Sequence, residues 1–143
     1  EIDSELLNSE DFIDKIKYYR ILKKVSQRKI ALYSGIDPEH YRKIEMKQYE
    51  VQDYEVAEKF IECLQIEDKV ELPDYFAFMK EYPLNRLKEI IDEKFGKDNF
   101  CKMIGISIFT VESWYRNLKQ VKSLSTRTCR KIVEALKNNN IKF

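Results

Sequence analysis

The chain has 143 residues, 43% apolar and 36% charged, with a formal net charge of +1, which suits one ordinary domain or two small ones with a charged surface. No stretch approaches the ~18 consecutive apolar residues of a membrane-spanning helix, so no membrane partner is expected. The acidic start "EIDSELLNSEDFID" has the wrong sign for a secretory leader, and because it opens on Glu1 rather than Met the sequence fits a piece of a longer chain.

The near-neutral total conceals local asymmetry. Residues 1–14 carry six acids and no base, residues 15–47 carry ten Lys/Arg against three acids (net +7), and residues 112–143 carry eight against two (net +6). Two basic blocks of this kind are the charge footprint of a chain that meets polyanions. Cys63, Cys101 and Cys129 are odd in number and too far apart for zinc-ligand spacing. They read as reduced core residues of a cytoplasmic protein, and neither metal nor cofactor is expected.

Three glycines and three prolines punctuate long 3.6-type apolar patterns, which predicts an all-helical fold. In chain order, Ser9 is placed to cap a helix over about Glu10–Lys24, with Phe12, Ile13, Ile16, Tyr19 and Ile21 as its apolar stripe. Ser26 caps the short "QRKIALYS", which buries Ile30 and Ala31. After the "GID" turn, Asp37 caps Pro38–Met46, with Tyr41 and Ile44 inward. Asp53 starts "YEVAEKFIECL", with Val56, Ala57, Phe60, Ile61 and Leu64 facing the core. The aromatic "PDYFAFMKEYP" follows, read as a linker helix or, alternatively, a dimerisation surface. "NRLKEIIDEKF", "KDNFCKMI", "GIS", "IFTVESWYRN" and "STRTCRKIVEALKN" then repeat the earlier order.

A shift of seventy residues aligns Ile30 with Phe100, Ala31 with Cys101, Gly35 with Gly105 and Ile36 with Ile106. It also aligns Asp37 with Ser107, Tyr41 with Val111 and Ile44 with Trp114. Seven matches of residue class over one short segment mark an internal repeat. A small residue lets two helices cross closely, the glycine four positions on permits a tight turn, and the next polar residue caps the second helix. That combination is the helix-turn-helix of nucleic-acid recognition.

On these residues the stretch "IKYYRILKKVSQRKIALYSGIDPEHYRKIE", and the chain from about Ile16 through Leu64, resembles the Xre family of bacterial and phage regulators, the group of the lambda-type repressors and Cro. The resemblance rests on Arg20, Ser26-Gln27, Ile30-Ala31, Gly35-Ile36 and Glu45. It implies an internal Arg20–Glu45 ion pair and a Gln27 at the DNA. The loop glycine that the family places shortly after Glu45 is absent, with "MKQY" in its stead. The second copy, about Leu84–Asn139, is similar to the same family but diverged: Lys97 stands where Gln27 does, Trp114 replaces an aliphatic residue, and the Arg–Glu pair is not repeated. The fold expected is therefore all-α, two tandem lambda-repressor-like helix-turn-helix domains (1–68 and 84–143) joined by a short helical linker over 69–83.

On Pro38–Met46 the buried Tyr41 and Ile44 turn Glu39, Arg42, Lys43 and Met46 outward, with Pro38 and His40 at the flanks. Arg42 and Lys43 suit guanine edges or phosphate, and Glu39 suits cytosine N4. Gln27 and Arg28 near a helix start suit phosphate, and Lys47, with Gln48 and Tyr49, is placed to hold the backbone. In the second copy the outward residues are Phe109, Glu112, Ser113 and Arg116, flanked by Ile108 and Thr110. Ile108 and Phe109 suit a protein-binding patch or thymine methyls, whereas Arg116, Lys119 and Lys122 suit phosphate. The function expected is a sequence-specific, non-catalytic transcriptional regulator, such as a repressor, partnered by double-stranded DNA. The alternative is a protein-interaction module, an antitoxin or regulator antagonist, in which the second domain binds a protein; a homodimer is open in either case. No nucleophile–base pair, phosphate-cradling glycine loop or metal cluster points to an enzyme.

Overall fold

The structure, a computed structural model, describes residues 4–81, 84–117 and 124–142. Every regular element among them is helical, and no helix among them is long and apolar enough to cross a membrane. The chain divides into two units, Glu1–Pro73 and Asp74–Phe143.

The first unit opens with a single turn, α1 (Ser4–Asn8), which the sequence patterns did not single out. Helix α2 spans Phe12–Leu22, shorter than the expected Glu10–Lys24, and its cap is Asp11 rather than Ser9. Asp11 Oδ1 accepts from the N–H groups of Ile13 (2.9 Å) and Asp14 (3.1 Å). Ser9 Oγ instead accepts from Asp11 N–H and donates to Asp14 Oδ2 at 2.7 Å. The carboxylate takes the cap because it offers the stronger acceptor to the orphan N–H groups of the first turn. Helices α3 (Gln27–Tyr33), α4 (Pro38–Glu45) and α5 (Tyr54–Leu64) start as expected at Ser26, Asp37 and Asp53, each side chain accepting from a first-turn N–H. Phe12, Ile16, Ile30, Ala31, Tyr41, Ile44, Ala57, Phe60 and Leu64 form the core, with Tyr41 edge-on to Phe60 at 5.3 Å.

Charge runs through this core at one place. Glu45 closes α4 with its side chain only 3% exposed, and Arg20 of α2 reaches it with Nε at 2.6 Å from Oε2 and Nη2 at 3.1 Å from Oε1. Arg20 Nη1 also donates to the Val25 carbonyl (3.0 Å), Gln27 Nε2 of α3 donates to Glu45 Oε1 (3.0 Å), and the Tyr41 hydroxyl donates to Oε2. Three side chains from three helices thus place four hydrogen bonds on one buried carboxylate. Burial alone would raise its pKa, but the hydrogen bonds from Arg20, Tyr41 and Gln27 outweigh burial and hold it below the ordinary glutamate value. Burial and the neighbouring Glu45 charge push the Tyr41 phenol well above its ordinary value.

The second unit begins ten residues earlier than the expected 84. The aromatic stretch, expected as a linker helix, is a helix of the second unit: Asp74–Glu81 forms α6, with Phe76, Phe78 and Met79 buried. It packs along α10 (Thr126–Asn138), whose Cys129, Ile132, Val133 and Leu136 are buried in turn. An aromatic helix face must be covered, and α10 supplies the cover. Between them lie α7 (Leu84–Ile90), a π-helical turn (Ile91–Phe95), α8 (Lys97–Ile104) and α9 (Ile108–Asn117). Ring volume is exchanged between the copies. Aliphatic Ile30 and Ile44 become Phe100 and Trp114 (6.5 Å apart, near edge-on), whereas aromatic Tyr41 becomes Val111. The loss of the Tyr41 ring partly offsets the two larger rings, in the direction that volume conservation in a core requires. Cys101 and Cys129 are buried and Cys63 half-buried, all three as thiols. Burial pushes the Cys129 thiol up to about 12.

The two units yield separable predictions. Arg20→Ala leaves Glu45 buried without its cation and should destabilise the first unit by about 3–5 kcal/mol. Because the folded pKa of Glu45 lies below the unfolded value of about 4.3, its contribution is full at neutral pH. It is lost as pH falls below that value and through the lowered folded one. The acid limb of the melting temperature against pH should therefore flatten in Glu45→Gln, as followed by far-ultraviolet circular dichroism. Trp114, the chain's single tryptophan, reports the second unit alone. Phe76→Ala should lower the stability read by its fluorescence by about 3–5 kcal/mol, whereas a dispensable linker residue would leave that signal unchanged.

Candidate nucleic-acid interface

The residues singled out for binding lie on two helix pairs, α3–α4 and α8–α9, joined by the same kind of turn. Gly35 has φ 76° and Gly105 φ 69°, a region that costs an L side chain about 1–2 kcal/mol. The N–H of Ile36 donates to the Ala31 carbonyl at 3.0 Å, and that of Ile106 to the Cys101 carbonyl at 3.1 Å. Asp37 Oδ1 then accepts from Glu39 N–H (2.8 Å), and Ser107 Oγ from Phe109 N–H (3.1 Å). Tyr41 and Ile44 point inward from α4, as Val111 and Trp114 do from α9. The seven matched positions therefore play the same local roles in both copies.

With Tyr41 and Ile44 buried, α4 turns Glu39, Arg42, Lys43 and Met46 outward as the periodicity required. These groups are already organised among themselves. Arg42 Nε bonds both oxygens of Glu39 (2.9 and 3.1 Å), Nη2 bonds Oε1, and Nη1 lies 2.8 Å from Met46 Sδ. This pair raises the pKa of Arg42 and lowers that of Glu39, each through the hydrogen bond to the other. His40 stacks on Tyr49 at 5.3 Å, and Lys43 Nζ lies 5.5 Å from the same ring centre. Pro38 occupies the first helical position, half-buried. Arg28 is exposed in the first turn of α3, beside Gln27, whose amide turns back to Glu45.

Lys47 is committed elsewhere. It adopts φ 64°, the left-handed conformation usually given to glycine, immediately after the Met46 cap of α4. Gln48 N–H closes the turn on the Lys43 carbonyl at 2.9 Å. So the chain makes this left-handed turn with a lysine, not a glycine. Lys47 Nζ bridges Asp11 (2.9 Å) and Asp14 (3.0 Å) at the start of α2. Partial burial lowers its pKa, but the two carboxylates outweigh that and raise it.

In the second copy Phe109 is 77% exposed at the second position of α9, with Ile108 half-buried beside it. Arg116 is exposed in the last turn of that helix. Lys119 and Lys122 lie outside the described residues. Lys97 Nζ sits 4.4 Å from the ring centre of Tyr115, Lys88 Nζ sits 5.0 Å from it, and the Tyr115 hydroxyl donates to Asp92 at 2.7 Å. Burial first, then Asp92, pushes that phenol upward. Tyr115 escaped the sequence reading, yet the seventy-residue shift points to it: Gln27 meets Glu45 in one copy where Lys97 meets Tyr115 in the other. Met46 as a support for Arg42 was likewise legible from the i, i+4 spacing. Among the described residues no group of His, Cys, Asp and Glu is arranged to hold a metal ion.

Compared with known proteins, the chain matches no family model, no curated protein and no solved structure.

The Lys47 turn gives a test of its own. Lys47→Gly removes the left-handed strain and both half-exposed ion pairs, the latter worth about 0.2–1 kcal/mol each. The variant should melt within about 1 kcal/mol of the parent at low salt. At 1 M salt, where the pairs are screened over roughly 3 Å, it should be at least as stable. Thermal melts at the two ionic strengths check this.

Proposed function

We propose that the chain is a sequence-specific DNA-binding transcriptional regulator of Xre type, without catalytic activity, built from two tandem helix-turn-helix domains. In this assignment α4 enters the major groove, Arg42 and Lys43 meet base edges or phosphates, and Arg28 at the start of α3 meets the backbone. The observation that carries the assignment is α4 itself. It is a capped helix, set by a left-handed glycine turn and docked through Tyr41 and Ile44, and it presents Arg42 and Lys43 from its outer side. The recurrence of that turn at Gly105 supports a second domain of the same kind. Lys47 and Gln27 are assigned to holding the domain together, since Lys47 ties the loop after α4 to the start of α2 and Gln27 ties α3 to the buried Glu45.

One observation favours a different duty for the second domain. Where α4 carries Glu39, α9 carries Phe109 with 77% of its surface exposed. A large exposed ring at that place suits a protein partner, as in antitoxins or regulator antagonists, better than a phosphate backbone.

A gel-shift series on a site selected from random DNA decides between these duties. Replacing Arg42 and Lys43 together with Ala should leave the helical spectrum intact and weaken binding by about 1–3 kcal/mol for each lost base contact. The parent's log-affinity should fall linearly with log salt. Phe109→Ser should keep both affinity and salt slope if the second domain serves a protein partner, and lose affinity if it reads DNA. A double Arg42/Lys43 variant that binds as tightly as the parent would remove α4 from the role of reader.

A further inference from the structure

Arginine carries five N–H donors in one plane, and on α4 three of them are already engaged. The edge formed by Nε and Nη2 faces the Glu39 carboxylate, and Nη1 gives one hydrogen to Met46 Sδ. What remains is one hydrogen on Nη1 and one on Nη2. The supports are themselves fixed. Glu39 is the second residue of α4, and its own N–H is held by the Asp37 cap at 2.8 Å. Residues 39, 42 and 46 lie one above another on the outer face of α4 and its cap, at spacings of three and four. Arg42 nevertheless keeps 43% of its side chain exposed, so it is not sealed from a ligand.

We infer that Arg42 is a braced guanine reader, with Glu39 as its positioning residue and a G·C pair as its target, an assignment that rests on the DNA-binding role proposed above. One donor left on each of Nη1 and Nη2 suits the O6 and N7 acceptors that only guanine presents together in the major groove. A phosphate offers paired acceptors too, but it is anionic, and the Glu39 carboxylate beside the guanidinium repels it. The edge of a G·C pair is neutral, and its cytosine N4 amino group supplies a donor on the side where Glu39 stands. Glu39 thus acts through Arg42: it fixes the plane of the fork before DNA arrives, so less freedom is lost on binding. The mutual pairing also leaves this part of α4 with no net charge, which suits selection of a base over general attraction to the backbone.

The experiment uses the full chain and a site selected from random DNA, with each guanine replaced in turn by 7-deazaguanine. That base loses the N7 acceptor while keeping its pairing and charge. One position should weaken parent binding by about 5- to 150-fold, the range for a bidentate base contact, and Arg42→Ala should be indifferent to the same replacement. Glu39→Gln should lose discrimination between G·C and A·T at that position yet bind random-sequence DNA at least as tightly, because an acidic group has gone. A carboxylate that merely repelled DNA would raise specific and random affinity alike and leave discrimination untouched. Specific binding in which no guanine shows an Arg42-dependent loss, or a Glu39→Gln protein that discriminates as well as the parent, overturns the inference and leaves the DNA-binding role standing. A full chain that selects no DNA sequence at all overturns both.

Discussion

The Glu45 carboxylate is the point on which the first unit turns. It sits at the end of α4, buried, and receives Arg20 from α2, Gln27 from α3 and Tyr41 from within its own helix. A carboxylate in that position is tolerable only while those donors are present, because its desolvation is offset by nothing else. The outcome is geometric as well as energetic. A hydrophobic contact alone would let α4 slide or rotate on the core, whereas three directed bonds, two from Arg20 and one from Gln27, fix its end relative to α2 and α3. The outer face of α4, and with it the aim of Arg42, inherits that rigidity.

The second unit reaches a similar frame by different chemistry. Buried Ile90 stands seventy residues after Arg20, Tyr115 after Glu45, and Lys97 after Gln27. The buried ion pair is replaced by a ring with two ammonium groups near it and a single hydroxyl bond to Asp92. Cation–ring contacts are less directional than a bidentate carboxylate pair. The larger aromatic residues at Phe100 and Trp114 therefore carry more of the packing. The outward residues diverge in step: a polar, internally paired face on α4, and a bare ring at Phe109 on α9. Two copies of one local design have been given surfaces of opposite character, which is what unequal duties under the proposed function require.

Much of the basic charge is spent within the molecule. Lys47 is taken by Asp11 and Asp14, Arg20 by Glu45, and Arg42 by Glu39. The last two pairs are already counted in the net charge of +7 over residues 15–47, but Asp11 and Asp14 lie outside that stretch, so it overstates what a polyanion would meet there by the charge of Lys47. The acidic N-terminal segment is part of this accounting. Its Asp11 and Asp14 cap or start α2 and also hold the loop after α4, so a stretch that looks like a solvating tail in composition is structural in place.

What the sequence by itself determined is the short-range part. The helical class, the caps at Ser26, Asp37, Asp53 and Ser107, the glycine turns and the inward residues of α4 and α9 all follow from groups within one or two turns of each other. The repeat was legible for the same reason, since seven residues in one register are set by one local geometry. One distant pair, Arg20–Glu45, was implied by the family resemblance; the tertiary structure alone decided the distant partners of other polar side chains. Gln27 turned to Glu45 eighteen residues away, and Tyr115 to Asp92 twenty-three away. The aromatic stretch after Pro73 became a packed helix because α10 came back to cover it. Periodicity tells a residue which way to face along its own helix. The partner that waits there depends on how separate segments pack, and no local pattern encodes that distance.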